Sequence, residues 1–370
     1  MDAIAFAGCG MAVASTAEPE VSAETSSEAV SVHNEATLVD CHNDFIILVD
    51  RDLARGITDP LGSRWIPQLR KGGVDVQVAP IFVEEAYLPE GALRRTLLLI
   101  ETLHRQIQQN PNDAQLALTG KDISDAVGKG KIAFILALEG SPAIAADVDL
   151  VETFFRLGVR MASFSWFGRT QLADGSAEEG ASNRLTKAGV RCLEEMERLG
   201  MLMDVSHLSA ANVDHVLEVA TRPIIASHSS AKAILDHHRN LSDDHLRAIA
   251  ETGGVIGVNF FHAFVDPENP TLDRLVDHIE HIAEVAGIDH VGIGPDFVKE
   301  YFDEFYPNDP DLMVEGVLAK ATIKGMETSA DLPLLTQTML DRGFDTGGVM
   351  KVLGDNFLRV FSDVMGVTGG

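Results

Sequence analysis

The chain has 370 residues, of which 45% are apolar and 23% are charged, and this mixture excludes a disordered or fibrous protein. Its 29 Lys and Arg residues against 56 Asp and Glu residues give a formal net charge of −27. That charge argues against a nucleic acid or an anionic membrane surface as a partner. The three cysteines are too few for a disulfide framework, and a reducing, cytoplasmic compartment is the simpler expectation.

The N-terminal residues 1–36 are predicted to be a disordered or processed tail. Residues 18–35 are rich in Glu, Ser, Ala and Thr and show no hydrophobic periodicity. The segment FAGC at residues 6–9 is similar to a lipoprotein processing site, so export or lipid anchoring is the alternative to a cytoplasmic location. No uncharged apolar run is long enough for a membrane span, and none is expected. A single catalytic domain is predicted for residues 37–370.

Short apolar runs alternate with helical stretches from residue 37 onward. The runs are typical of buried parallel strands, and the helical stretches suit the crossovers between them. The eight predicted strands are residues 37–42, 74–82, 132–138, 159–165, 202–206, 224–227, 255–260 and 291–294. The predicted helices include residues 93–109, 185–199, 210–220, 243–250 and 272–286. This alternation predicts an α/β protein with a (β/α)8 TIM barrel, because an open doubly wound sheet would usually carry a glycine-rich phosphate turn after its first strand.

The chain after the last predicted strand contains two further features. Residues 299–332 are long and acidic, and they are predicted to form an elaborated loop over the mouth of the barrel. Residues 334–364 are predicted to form two helices that close the barrel, with breaks at Gly343 and at Gly347 and Gly348.

Polar residues stand at the carboxyl ends of five predicted strands. They are His42 and Asp44, Glu139, His207, His228 and Asp296, after strands one, three, five, six and eight. Because these ends share one face of a barrel, the side chains are expected to converge where barrel active sites lie. Each residue taken alone has a structural alternative, such as a helix cap, an Asx turn or a salt bridge at the rim.

The combined set of three histidines, one Asp and one Glu is too rich for one structural zinc site. It suits two divalent ions bridged by a carboxylate, with Glu139 as the bridge. His42 and Asp44 would then hold one ion, and His207 and His228 the other. The remaining histidines are interpreted mostly as surface or packing residues: His33, His104, His215, His237, His238, His245, His262, His278, His281 and His290.

At these residues the chain resembles the membrane (renal) dipeptidases, peptidase family M19, which are amidohydrolase-like, metal-dependent hydrolases. The matching segments follow the order of the family: DCHND at 40–44, QLRKGGV at 68–74, LEG at 138–140, MDVSH at 203–207, SHSSA at 227–231, RN at 239–240, GPDF at 294–297 and GDNFLRV at 354–360. The resemblance extends from about residue 38 to residue 361.

The resemblance implies a zinc-dependent dipeptidase with two zinc ions per subunit, bridged by Glu139. It also implies that Asp296 shuttles the proton and that Arg239 binds the carboxylate of a dipeptide substrate. Without the resemblance, Arg239 would be interpreted as a surface charge. L-L dipeptides are the expected substrates, L-D dipeptides stay open, and a homodimer is suggested by the family alone.

Two positions depart from the family pattern. Trp166 stands where mammalian members have a histidine, and its indole could donate one hydrogen bond or form a wall of the substrate pocket. The family motif DFDG is replaced by DFVK at residues 296–299, which leaves substrate choice open. Two alternatives therefore stand beside the dipeptidase: an amidohydrolase for N-acyl amino acids or another small amide, and a non-catalytic binding protein with the same barrel.

Overall fold

The computed structural model describes residues 25–178, 180 and 183–366. Eleven strands occur in these residues, in chain order: β1 (Leu38–Asp40), β2 (Val74–Ile81), β3 (Ala114–Leu116), β4 (Ile132–Leu138), β5 (Val159–Ala162), β6 (Leu202–Met203), β7 (Ile225–Ala226), β8 (Val255–Val258), β9 (Val291–Ile293), β10 (Met313–Val314) and β11 (Val317–Leu318). All except β3, β10 and β11 correspond to the eight predicted strands.

The eight strands close into a parallel barrel. Strands β1, β2, β4, β5 and β6 pair in that order, and β7, β8 and β9 form a second run. A parallel bridge between Asp204 and Ile225 joins β6 to β7. The backbone N–H of Cys41 donates to the carbonyl of Ile293 at 3.2 Å, which joins β9 to β1. The predicted TIM barrel is confirmed. The short β3, which pairs with the start of β4, was not predicted, because three residues are too few to show a strand pattern.

The helices surround the barrel. In chain order they are α1 (Ser27–Glu35), α2 (Phe45–Ala54), α3 (Ile66–Lys71), α4 (Ala92–Gln109), α5 (Gly120–Val127), α6 (Asp149–Arg156), α7 (Lys187–Leu199), α8 (Ala210–Val219), α9 (Asp243–Glu251), α10 (His262–Val265), α11 (Leu272–Ala286), α12 (Lys299–Phe305), α13 (Leu332–Asp341), α14 (Thr346–Met350) and α15 (Asn356–Val364). Within the described part of the chain, none of them combines the length and apolar composition that crossing a membrane requires.

The core has two layers because alternate residues of a strand face opposite sides. In β4, Ile135 and its alternate neighbours face the barrel interior, where Phe357 and Phe361 of α15 join them. Phe134 and Leu136 face outward and pack against the helices. Every residue of β4 is buried, so a continuous apolar run is required there. The polar residue next to β4, Glu139, is consequently placed after the strand ends, at the carboxyl face.

Part of the predicted tail is wrong. Residues 27–35 form helix α1, which Ser26 caps by accepting a hydrogen bond from the N–H of Ala29. The helix buries Val32 and His33, and the His33 ring contacts the hydroxyl of Thr336 at 2.8 Å. The segment lacked a clear apolar stripe because only a few of its residues meet the body of the protein. Residues 1–24, including the similarity to a processing site, lie outside the described residues.

The C-terminal prediction is partly wrong as well. A break occurs at Gly343, whose φ of 92° follows the end of α13. Gly347 and Gly348, by contrast, lie inside α14. The helix tolerates them because the Asp345 side chain caps its start and accepts the N–H of Gly348 at 2.6 Å.

Residues 299–332 do lie over the mouth of the barrel, and they are more ordered than the predicted loop. They contain α12 and the two-stranded hairpin β10–β11. Ion pairs fasten α12 to the barrel side, because Glu304 pairs with Arg51 and Arg55 while Glu300 pairs with Arg64 at 2.7 Å. Two acidic residues of this segment, Glu300 and Glu304, therefore attach it to the barrel side.

Candidate active site

A cavity of about 720 Å³ opens at the carboxyl ends of the barrel strands. The predicted site residues on its surface are Asp44, Glu139, Trp166, His207, Arg239 and Asp296. The structure therefore brings together residues that are up to 252 positions apart in the chain, from Asp44 to Asp296. His42 and His228 lie directly behind this surface and are almost completely buried.

The five predicted metal ligands form one cluster around Glu139, and we refer to these five residues as the ligand floor. The Oε1 atom of Glu139 lies 3.0 Å from Nε2 of His207, 3.4 Å from Nε2 of His42 and 3.7 Å from Nε2 of His228. Asp44 Oδ1 lies 3.8 Å from His42 Nε2. The three histidines thus surround one oxygen of Glu139, and Asp44 lies beside one of them. A carboxylate that bridges two ions would require such an arrangement.

Several donor atoms of the ligand floor are buried and make no hydrogen bond to any described residue. They are both ring nitrogens of His42, Oδ1 of Asp44 and Oε2 of Glu139. Buried polar atoms are normally hydrogen-bonded. Nε2 of His42 lies 3.8 Å from Oδ1 of Asp44 and 3.4 Å from the Glu139 carboxylate, so this group of unpaired atoms indicates a missing partner. Nδ1 of His42 lies on the opposite edge of the ring and does not belong to the group. Nitrogen and oxygen donors of this kind fit a divalent cation such as zinc.

Hydrogen bonds behind the floor fix the tautomer of His228. The Ser227 hydroxyl donates to Asp204 Oδ2 at 2.6 Å, so its oxygen accepts from Nδ1 of His228 at 2.7 Å. The lone pair of His228 Nε2 is then directed into the floor, where Nε2 of His207 lies 2.8 Å away. This is the protonation state that a metal ligand needs, and the orienting partners resemble those of metal-bound histidines.

No protonation state of His207 satisfies all of its neighbours. Arg239 Nη2, which can only donate, lies 3.2 Å from Nε2 of His207. If Nε2 is unprotonated, its lone pair faces those of Glu139 and His228; if it is protonated, it faces the Arg239 N–H. A cation in the floor would remove the conflict, because all the lone pairs could then be directed at it. The residues present therefore fit a metal centre.

The charges of the floor shift its pKa values in a consistent pattern. Burial together with neighbouring positive charges lowers the pKa of His228 well below its usual range and also lowers the pKa of His207. Burial opposes ionisation of Glu139, but His42 and His207 outweigh it and lower the pKa of this carboxyl. Burial would lower the pKa of His42, yet Glu139 and Asp44 raise it to about 10. These shifts favour an anionic Glu139 beside His42.

Backbone strain is concentrated at the mouth of the barrel. Among the described non-glycine residues, four have positive φ, and three of these are His207 (70°), Asp296 (55°) and Glu315 (52°). Left-handed backbone is unfavourable for such residues and is retained where the surrounding structure enforces it. At His207 and Asp296 the unusual backbone places the side chain at the cavity.

Asp296 is positioned by its backbone and by one side chain. Its N–H donates to the carbonyl of His42 at 2.9 Å, and its Oδ2 accepts from the Asn259 amide at 2.9 Å. Asn259 is fully buried directly after β8, and its own Oδ1 accepts the N–H of Phe261 at 2.6 Å. Asp296 is therefore held next to the floor, and one of its oxygens is oriented by Asn259.

Arg239 and Trp166 line two sides of the cavity. The Arg239 guanidinium is almost fully buried, donates to the carbonyl of His228 at 3.3 Å, and lies 5.3 Å from the ring centre of Phe264. Its Nε makes no hydrogen bond to any described residue, so a buried donor remains for a ligand. Trp166 packs 4.5 Å from the Phe82 ring, which favours its role as a pocket wall. Arg239 is thus a buried cation rather than a surface charge.

Aromatic residues make up much of the upper wall. All three tyrosines of the chain line the cavity, and so do several phenylalanines of α12 and the neighbouring loops. In α12, Tyr301 stacks on Phe305 at 4.6 Å, and the Arg51 guanidinium lies 4.5 Å from the Phe305 ring centre. We call this set the aromatic wall: Phe82, Tyr87, Trp166, Phe167, Phe261, Phe264, Tyr301, Phe302, Phe305 and Tyr306.

Sequence reasoning missed some residues of the site. Asn259 follows the seventh barrel strand, and the same strand-end argument would have found it if the predicted strand had ended at residue 258. His237 and His238, interpreted as surface or packing residues, are partly exposed and stack on each other, and they lie close to Glu315, whose side chain lines the cavity. No local sequence pattern predicts the contact between His238 and Glu315, because the two residues are 77 positions apart in the chain.

A barrel of this kind, with three histidines around one carboxylate at its carboxyl face, is typical of the class of metal-dependent hydrolases. Comparison with known proteins identifies the family within that class. The sequence profile of the membrane dipeptidases, peptidase family M19, matches residues 26–308. The chain belongs to this family, and its activity is metal-dependent dipeptide hydrolysis.

Individual relatives agree with that assignment. The chain is 30% identical to dipeptidase verJ of Clonostachys rogersoniana over 91% of this chain and 87% of the relative. It is 31% identical to dipeptidase aclJ of Aspergillus oryzae, over 88% of this chain and 78% of the relative. A metallopeptidase structure from Rhodobacter sphaeroides, solved with a phosphinate mimic of L-Ala-D-Ala, has a TM-score of 0.77 at 23% identity and covers 89% of this chain and 99% of its own. At that identity the structure supports the fold alone.

Proposed function

We propose that the chain hydrolyses dipeptides with two zinc ions held by the ligand floor. His42 and Asp44 would hold one ion, His207 and His228 the other, and Glu139 both. The observation that carries this proposal is the convergence of buried, unpaired nitrogen and oxygen donors around one carboxylate. When bound, such ions supply a hydroxide near neutral pH and polarise the peptide carbonyl. The remaining steps are the work of the chain's own residues.

Asp296 is proposed as the general base and acid. Its carboxylate would accept the proton of the attacking water and deliver it to the leaving amine nitrogen, so that no net proton is lost from the site. Asn259 holds one carboxylate oxygen at 2.9 Å, which leaves the other oxygen for proton transfer. The fixed φ of Asp296 further limits the orientations that its side chain can adopt.

Arg239 is proposed to bind the free carboxylate of the substrate. Its buried guanidinium has an Nε donor without a hydrogen bond to the described residues, and a carboxylate can accept from two guanidinium N–H groups at once. The charge-assisted pair would fix the C-terminal end of the substrate beside His207. The scissile carbonyl, one residue further back, would then lie over the ligand floor.

The size and chemistry of the cavity suggest which dipeptides fit. A volume of about 720 Å³ is at the upper end of ordinary ligand pockets, and the aromatic wall offers apolar contact along much of it. We propose that dipeptides with a large apolar or aromatic side chain are preferred over glycylglycine. Both L-L and L-D dipeptides belong in the test of this preference.

The test is hydrolysis of a dipeptide panel by metal-stripped and zinc-restored protein, with metal content measured in parallel. The panel includes N-acyl amino acids, since an amidohydrolase for those substrates could use the same floor. Zinc-restored cleavage of dipeptides with two ions per chain supports the proposal. Cleavage of N-acyl amino acids alone would favour the alternative, and one ion at full activity would contradict the two-ion site.

Other properties are proposed on narrower grounds. The buried free thiols of Cys41 and Cys192 are compatible with a reducing, cytoplasmic location, which cell fractionation would test. A single catalytic domain is proposed for the body of the chain, testable by limited proteolysis. A homodimer is proposed from the family resemblance, and sedimentation analysis would detect it.

A further inference from the structure

The hairpin of residues 313–318 places a strained glutamate at the carboxylate-binding end of the cavity. Its two turn residues, Glu315 and Gly316, both have positive φ, 52° and 80°. Two-residue hairpins with two positive φ angles favour Asn, Asp or Gly, because their backbones tolerate that conformation. A glutamate there is conformationally unfavourable, so its carboxylate must be held by contacts elsewhere.

Those contacts come from two histidines beside Arg239. The Oε2 atom of Glu315 lies 3.3 Å from Nε2 of His238 and 3.8 Å from Nε2 of His237. The two imidazole rings stack with centres 4.4 Å apart, and Nδ1 of His238 contacts the Ser176 hydroxyl at 3.0 Å. The side chain of Glu315 is only 19% exposed, so the carboxylate is partly withdrawn from water. The geometry is that of a carboxylate fastened to the segment that carries Arg239.

The tautomer of His237 argues against a metal ion between His237, His238 and Glu315. The backbone N–H of Arg239 donates to Nδ1 of His237 at 3.2 Å, so a neutral His237 ring carries its proton on Nε2. That proton faces Glu315, and the lone pair that a metal would need is not available on this nitrogen. The cluster is therefore a hydrogen-bonded latch between the hairpin and the His237–Arg239 segment.

The apolar side of the hairpin lies against the same region. Val314 and Val317 pack against a small cluster that includes Phe261 and Phe264. The Arg239 guanidinium lies 5.3 Å from the Phe264 ring centre. The turn residue Glu315 and the strand residues Val314 and Val317 therefore meet residues that lie close to Arg239.

We propose that Glu315 is a specificity-determining residue: it fastens the hairpin across the Arg239 end of the cavity and restricts the site to peptides that end there. This inference rests on the proposed carboxylate-binding role of Arg239. A dipeptide would end at Arg239 and fit. A tripeptide placed with its first peptide bond over the ligand floor would have to continue past Arg239, into the space that the hairpin occupies.

The central experiment compares Glu315→Asn with the unchanged protein. Asn suits the positive φ of the turn, so the hairpin can keep its fold, but its shorter, uncharged side chain loses the latch. The substrates are a dipeptide and the same dipeptide extended by one C-terminal alanine. We expect the ratio of kcat/KM for tripeptide over dipeptide to rise roughly 10-fold, as for the loss of one charge-assisted hydrogen bond, with dipeptide kcat within about 3-fold.

Two further variants make the test specific. His238→Gln removes the other partner of the latch and should raise the same ratio, and the double variant should add little to either single change. Asp309→Asn removes a negative charge from an exposed position of the same segment, and we expect no change in the ratio. Melting temperature and metal content are measured for every variant.

The outcomes separate this inference from the proposed function. If the unchanged protein cleaves no dipeptide, the proposed function is wrong. If it cleaves dipeptides and both Glu315→Asn and His238→Gln leave the ratio unchanged, the latch does not determine substrate length. If both variants lose bound metal as well as dipeptide kcat, the latch has a structural role, and the inference is also overturned.

Discussion

The ligand floor and the upper wall of the cavity are built in opposite ways. The floor residues lie one to four positions after the end of a barrel strand, and Asp204 and Ser227 orient His228 from behind. The upper wall comes from α12 and the hairpin 313–318, which are fastened by ion pairs at partly exposed side chains. The floor is therefore suited to the reaction common to all substrates, and the upper wall to selection among them.

The largest effect is expected from the floor itself. Glu139→Gln removes the anionic bridge that faces three histidines, so the variant should lose bound metal and all measurable cleavage of every dipeptide. Activity assays and metal analysis on the same samples check this. Glu152→Gln, on the outer helix α6, is the matched control and should retain both properties. Full metal content with full activity in the Glu139 variant would contradict the proposal that the floor binds the metal and supports the reaction.

The second effect concerns proton transfer. Asp296→Asn keeps the shape of the side chain and removes its base, so kcat should fall by about 10²- to 10⁴-fold for all dipeptides. Metal content should stay near that of the unchanged protein, because Asp296 is not among the proposed ligands. Steady-state kinetics with two unlike dipeptides measure whether the loss is uniform. A loss confined to one substrate would assign Asp296 to selection instead.

A smaller effect is expected behind the floor. Ser227→Ala removes the hydroxyl that connects Asp204 with Nδ1 of His228, and metal affinity should fall by about 10- to 100-fold. Zinc titration in a competing chelator measures the affinity, and excess zinc should restore most of the activity. Ser124→Ala, which removes an exposed hydroxyl on α5, serves as the control. Unchanged zinc affinity in the Ser227 variant would show that His228 needs no such orientation.

The smallest effect belongs to the aromatic wall. Tyr301→Ala removes a ring that stacks on Phe305, and KM for dipeptides with an aromatic side chain should rise by about 2- to 10-fold. The kcat values and the KM for glycylglycine should change little, since the floor is intact. Competition between the two substrates gives the change in preference directly. An equal loss for glycylglycine would mean that α12 supports the floor as well.

Much of the floor could be predicted because a parallel barrel converts positions along the chain into positions in space. Glu139 follows a wholly apolar run, and His207 and His228 follow two short ones, so their strand-end positions can be recognised from the residues. The family resemblance added roles for Asp296 and Arg239. Asn259 was missed because its predicted strand, residues 255–260, extended two residues past Val258, where β8 ends.

The upper wall could not be predicted in the same way. Residues 299–332 lack an apolar run of strand or helix length, so their sequence indicated an acidic loop and little more. The aromatic face of α12 and the position of Glu315 depend on partners from α2 and from the segment after β7. Helix α1 escaped prediction for the same reason, since its stability comes from packing on the body.

The sequence by itself determined the barrel, its eight strands and the residues gathered at their carboxyl ends. Each strand can be recognised from its own residues, and in a parallel barrel the residues that follow the strands all lie on one face. Only the tertiary structure decided how those residues face one another. It showed the unpaired donor atoms around Glu139, the burial of Arg239 and the latch between Glu315 and His238. These depend on distances between segments far apart in the chain, which no local pattern encodes.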